Sequence, residues 1–140
     1  MQILNYKLEA YIPFEKESIE MFLFLCEEVI TKITANQDIV FKLKSAVHEL
    51  LINCLEHGYN KKAGKVSFSI EKNEKSIVLE VCDEGFGMDL PSSNLENTNL
   101  DINTLSRRGW GLKIINRLAD SIHITNNSPK GTKVSVSISI

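Results

Sequence analysis

Leu4, Tyr6, Leu8, Ala10 and Ile12 recur at every second position, a period that predicts a strand over 3–12 with one buried face. Pro13 ends it. From about Lys16 to Thr34 the period changes: Ile19, Phe22, Leu23, Cys26, Val29, Ile30 and Ile33 form the stripe of an amphipathic helix. Asn36 or Asp38 can cap a second helix, in which Leu43, Val47, Leu50, Leu51, Cys54 and Leu55 keep helical spacing and Gly58 is the expected stop. Gly64 opens a strand through Val66, Phe68 and Ile70. Lys72-Asn73-Glu74-Lys75 is a turn, and Ile77, Leu79 and Val81 form the returning strand of a hairpin.

Asp83 sits where that strand ends. From Leu90 to Arg108 the chain is rich in Ser and Asn without strong periodicity, which marks a functional lid or a disordered loop. A helix is expected over 111–120, then a strand over 121–126, a turn at 128–131, and a last strand in which Val134, Val136, Ile138 and Ile140 alternate with serines. Hairpins make the sheet mixed but mainly antiparallel, and each strand has one apolar face. The helices must then cover one side, so the fold class is α+β, a two-layer α/β sandwich.

Composition narrows the functions. At 140 residues the chain is expected to form one domain over 1–140. A net charge of −2 supplies no basic patch, so nucleic acid is not an expected partner. No apolar run approaches the roughly 18 residues a spanning helix needs, and the N-terminus lacks the pattern of a signal peptide. No membrane is implied, and a cytoplasmic location is expected. Cys26, Cys54 and Cys82 show no CxxC spacing and read as reduced core thiols.

Common phosphate and metal motifs fail. There is no GxxxxGKS/T, and Gly109-Trp110-Gly111 does not continue as GxGxxG. His48-Glu49 does not complete HExxH, because the required histidine position holds Ile52. A different constellation remains. Glu49 and Asn53 stand one helical turn apart on one face. The amide oxygen of Asn53 is a hard ligand suited to a Mg²⁺ that also holds phosphate oxygens and waters. Glu49 is placed to accept a proton from an attacking hydroxyl or water. Asp83, acceptor-only, suits the exocyclic amine of adenine. Gly85 and Gly87 let backbone approach a flat ring with Met88 as an apolar neighbour. Gly109 and Gly111 precede a helix whose free N–H groups favour phosphate, and Arg107 or Arg108 adds charge there. Taken singly, these are also an ordinary amide–carboxylate pair, a turn aspartate, bends and solvated arginines.

Four motifs stand in order over nearly the whole chain: Glu49-x-x-x-Asn53 with His57-Gly58, Asp83-x-Gly85-x-Gly87, Gly109-x-Gly111-Leu112, and Gly131-Thr132. They resemble the N, G1 and G2 boxes and closing Gly-Thr of the GHKL ATPases. The short chain and Asn53-x-x-x-His57-Gly58-Tyr59 are most similar to the anti-sigma-factor serine kinases of bacterial partner-switching systems. The resemblance implies a Bergerat-type fold, an ATP lid at about 90–108, Mg²⁺ with ATP/ADP, a homodimer, and phosphorylation of a serine on a STAS-domain antagonist, with a sigma factor or other regulator as sequestered partner. It implies Glu49 as general base and Asn53 as the Mg²⁺ ligand. Asp83 would read adenine, with Gly85, Gly87 and Met88 beside it and Thr132 supporting that end. Arg107, Gly109, Gly111 and Leu112 would face the phosphates. Cys54 stands where the family usually has Ala. Glu20-Met21 stands about where sigma-binding relatives often carry Arg, which bears on the sigma target and not on the ATP site. The alternatives are a nucleotide-gated binding module without catalysis and a detached histidine-kinase-like ATPase domain.

Overall fold

The computed structural model describes residues 4–85, 119–126 and 130–140. The alternating segments become β1 (Leu4–Ile12), β2 (Gly64–Lys72), β3 (Ser76–Asp83), β4 (Ser121–Asn126) and β5 (Thr132–Ser139). They form one sheet in the order β1-β2-β3-β5-β4, and all four pairings are antiparallel. Parity then decides what each face carries. Val66, Phe68 and Ile70, Ile77, Leu79 and Val81, Ile122 and Ile124, and Val134, Val136 and Ile138 all point to one side and are buried.

Two helices close that side, α1 (Lys16–Ile33) against β1 and β2, and α2 (Gln37–Asn53) against β3 and β5. Phe22, Cys26, Ile30 and Ile33 of α1, with Leu43, Val47, Leu50 and Leu51 of α2, complete the core. Of the two candidate caps for α2, Asn36 is the one used: its side chain accepts from the N–H groups of Asp38 (3.0 Å) and Ile39 (3.2 Å). At the other junction the Lys72 ammonium donates to the carbonyl of Ile33 (2.9 Å), tying the end of α1 to β2. Asn73 turns the β2–β3 hairpin by accepting from the N–H groups of Lys75 (2.8 Å) and Ser76 (2.9 Å).

Three expectations are corrected. Leu4 and Tyr6 belong to the core-facing set, yet they are 44% and 49% exposed, because β1 is the edge strand and its start is left uncovered. Cys82 is not a core thiol. It lies one position off the buried Val81, on the outer face, half-exposed near Glu80. Gly58 does not stop the helix alone: α2 runs on into a π-helical turn (Cys54–Gly58), and the reversal uses Asn60 (φ 51°) and Lys61 (φ 60°), both left-handed. The lid at about 90–108 and the expected helix over 111–120 lie outside the described residues, save for Ala119 and Asp120. Among the described residues no helix is long and apolar enough to cross a membrane.

Candidate nucleotide site

Three apolar stripes end in polar residues at the same edge of the core. On α2 the stripe through Leu43, Val47 and Leu50 ends in Asn53. On β3 the run Ile77, Leu79, Val81 continues in phase to Asp83, and on β5 the run Ile138, Val136, Val134 arrives at Thr132. Val81 pairs with Val134, so the two strand ends are adjacent. The polar termini meet in a cleft lined by Leu50, Asn53, Cys54, Val81, Asp83, Thr132 and Val134, with a volume of about 10 Å³, room for about one water. Periodicity thus carries three polar side chains into an otherwise dry layer, where polar groups persist only when satisfied by partners or ligands.

Asp83 is 2% exposed. Its Oδ1 accepts from the N–H groups of Gly85 (3.0 Å) and Thr132 (3.3 Å), which fixes the carboxylate plane. The second bond requires the β5 entrance to pass very close to the end of β3. Gly131 makes that possible: it sits at φ 107°, and a Cβ there would overlap the carbonyl of Asp83 and lie 2.7 Å from the Glu84 Cα. Thr132 is buried beside it at 2% exposure.

Asn53 is 9% exposed, and its Nδ2 is, among the described residues, the buried side-chain polar atom without a hydrogen-bond partner. An orphaned donor next to an amide oxygen suits a phosphate or water on one side and a hard cation on the other. Among the described residues no group of three His, Cys, Asp or Glu gathers to cage a metal. A Mg²⁺ held here would therefore take Asn53 as its protein ligand and its remaining oxygens from phosphate and water, and the residues present fit that role. Glu49, one turn earlier, stands outside the cleft lining. Its side chain is 35% exposed, and Oε1 lies 3.9 Å from Nδ1 of His48. Glu49 is thus half-buried one helical turn before Asn53.

The π turn after Asn53 contributes Tyr59, which the sequence motif includes without indicating a role. Tyr59 donates its N–H to the carbonyl of Cys54 (3.0 Å), so the wider turn delivers its ring onto the strands. The hydroxyl donates to the carbonyl of Lys65 (2.5 Å) and accepts from the N–H of Glu84 (2.7 Å). Burial pushes this phenol above the usual tyrosine range, with the Glu84 N–H opposing. A tyrosine directly after His57-Gly58 was the available signal. Of the remaining candidates, Gly85 lies at the end of β3 as expected, whereas Gly87, Met88, Arg107, Arg108, Gly109, Gly111 and Leu112 lie outside the described residues.

Comparison with known proteins agrees with this arrangement. A family model for the histidine kinase-like ATPase domain matches residues 12–138. The anti-sigma F factor of Clostridium acetobutylicum is 30% identical over 92 residues, covering 66% of this chain and 64% of that protein. That of Clostridium beijerinckii is 27% identical over 106 residues, covering 75% of this chain and 74% of its own length. The chain thus spans a little under two thirds of the first of these relatives. A match that runs from the last residue of β1 to the penultimate residue of β5 takes in both helices, the π turn and every described residue of the cleft, and so the chain belongs to the family of histidine kinase-like ATPase domains, a nucleotide-binding α+β fold.

Proposed function

We propose that this chain is an ATP-dependent protein-serine kinase of the anti-sigma type, which phosphorylates a STAS-domain antagonist and sequesters a regulatory partner. A sigma factor is the partner that the two relatives' names suggest. The observation that carries the proposal is the meeting of Asn53 and Asp83 in one cleft, with Asn53 Nδ2 buried and unpaired. Asp83, its Oδ1 fixed by two backbone N–H groups, accepts from the exocyclic amine of adenine at the closed end. Asn53 would hold a Mg²⁺, which would supply positive charge against the phosphates. Glu49 takes the proton from the substrate serine as its Oγ bonds to the γ-phosphorus and ADP leaves with the bridging oxygen.

In this reading the family resemblance further assigns Gly87 and Met88 to the base and Arg107, Gly109, Gly111 and Leu112 to the phosphates. A homodimer is supported by β1, an edge strand whose Leu4 and Tyr6 stay exposed for a second copy. The test is incubation with γ-labelled ATP, Mg²⁺ and the STAS-domain protein encoded nearest the gene. Label on a serine of that protein, lost in Asn53→Ala, is expected. ATP binding without any transfer refutes the kinase and leaves a nucleotide-gated binding module.

A further inference from the structure

We infer that Tyr59 is a positioning residue for adenine recognition, a latch through which the metal end of the site holds the base end in register. The inference rests on the adenine-reading role of Asp83 proposed above. The Glu84 N–H that Tyr59 accepts belongs to the peptide unit whose carbonyl is that of Asp83. Gly131 packs against the carbonyl side of the same unit. One peptide plane is therefore gripped from both sides, and the orientation of the Asp83 side chain depends on it.

Both hydrogen-bonding functions of the phenol are used by backbone groups from different strands, the Lys65 carbonyl on β2 and the Glu84 N–H after β3. The ring itself is seated on Gly64, where a Cβ would overlap its atoms. The β2–β3 ladder reaches Val66 and Asp83; beyond it these two ends also share an ion pair, Lys65 Nζ to Glu84 Oε2 at 3.7 Å with side chains 47% and 48% exposed, which contributes little in solvent. Of the two side-chain links, the phenol is thus the stronger. Through its own N–H to Cys54 it connects the residue after Asn53 with the residue after Asp83.

The test compares Mg-ATP with Mg-ITP by calorimetry, because hypoxanthine carries a carbonyl where adenine carries the amine. Tyr59→Phe keeps the ring and removes the hydroxyl. Loss of one backbone-directed hydrogen bond is expected to lower ATP affinity about three- to tenfold. ITP affinity should hold, so the ATP preference shrinks by the same factor. Gly64→Ala displaces the ring with its hydroxyl intact and should shrink the preference in the same direction. Wild type without a preference for ATP over ITP overturns the adenine reading, and this inference with it. Wild type that prefers ATP, with Tyr59→Phe keeping the same ratio, overturns the latch alone. Equal weakening of both nucleotides also overturns it, since that result marks Tyr59 as a general packing residue.

Discussion

Replacing Asp83 by Asn isolates recognition from folding, because the structure lets the amide keep half of what the carboxylate does. Oδ1 of Asp83 accepts from the N–H groups of Gly85 and Thr132. An asparagine carbonyl can accept both bonds in the same rotamer, which turns its NH₂ to where the second carboxylate oxygen lay. Two hydrogen bonds to a charged acceptor become bonds to a neutral one, a loss of about 1 kcal/mol each. The carboxylate's burial at 2% exposure no longer has to be offset. The net change in stability is therefore at most about 2 kcal/mol, and thermal unfolding should fall by no more than roughly 5–10 °C at this chain length. Recognition changes more. A donor would face the adenine amine, itself a donor, and a buried mismatched pair costs about 1–3 kcal/mol, or about ten- to hundredfold in affinity. Guanine presents a carbonyl there and should gain. Calorimetric titration of wild type and Asp83→Asn with Mg-ATP and Mg-GTP reads the outcome. A folded variant with an unchanged ATP/GTP ratio refutes the assignment of Asp83, whatever happens to absolute affinity.

Glu49→Gln should cut phosphotransfer about 10²- to 10⁴-fold while nucleotide affinity holds; equal transfer rates in single-turnover assays would show that the base lies elsewhere. Gly131→Ala forces a Cβ into positive φ and onto the Asp83 carbonyl, and should cost more than about 2 kcal/mol. An urea midpoint equal to wild type would contradict that geometry. Burial pushes the Cys26 thiol from the usual 9.0 up to about 12. An unfolded chain would ionise it first, so its contribution to stability is whole below pH 9.0 and is lost as pH rises towards about 12. Thermal unfolding at pH 7 and at alkaline pH should show a steeper decline for wild type than for Cys26→Ala, and parallel declines would dismiss the effect.

Much of the architecture follows from period alone. The phase that buries Ile77, Leu79 and Val81 also carries Asp83 inward, so its buried seat was readable two residues beyond the last apolar position. The same parity marks Cys82 as outward-facing, a signal masked by its apolar character. Other features have no local signature. Exposure of Leu4 and Tyr6 depends on β1 lying at an edge, which the order of strands decides and no single strand reveals. The π turn differs from an α-helix by one residue in its hydrogen-bond spacing, while Leu55 and Glu56 suit either. The Tyr59 hydroxyl bonds to a backbone group 25 residues away, and no periodicity reports such a partner.

A buried amide group without a protein partner has a consequence for the nucleotide-free protein. Asn53 Nδ2 buried without an acceptor costs about 1–3 kcal/mol, set against a total stability of about 5–15 kcal/mol for domains in general. The empty chain then opens more often than a chain with an apolar residue there, and each opening exposes it to proteases. Abundance in the cell would track nucleotide supply, because a ligand that binds only the folded state raises its share of the population. Asn53→Leu inverts this trade: the empty variant should melt higher than wild type yet gain nothing from Mg-ATP. A lineage released from selection on the site is expected to drift towards that kind of residue, stabler and mute.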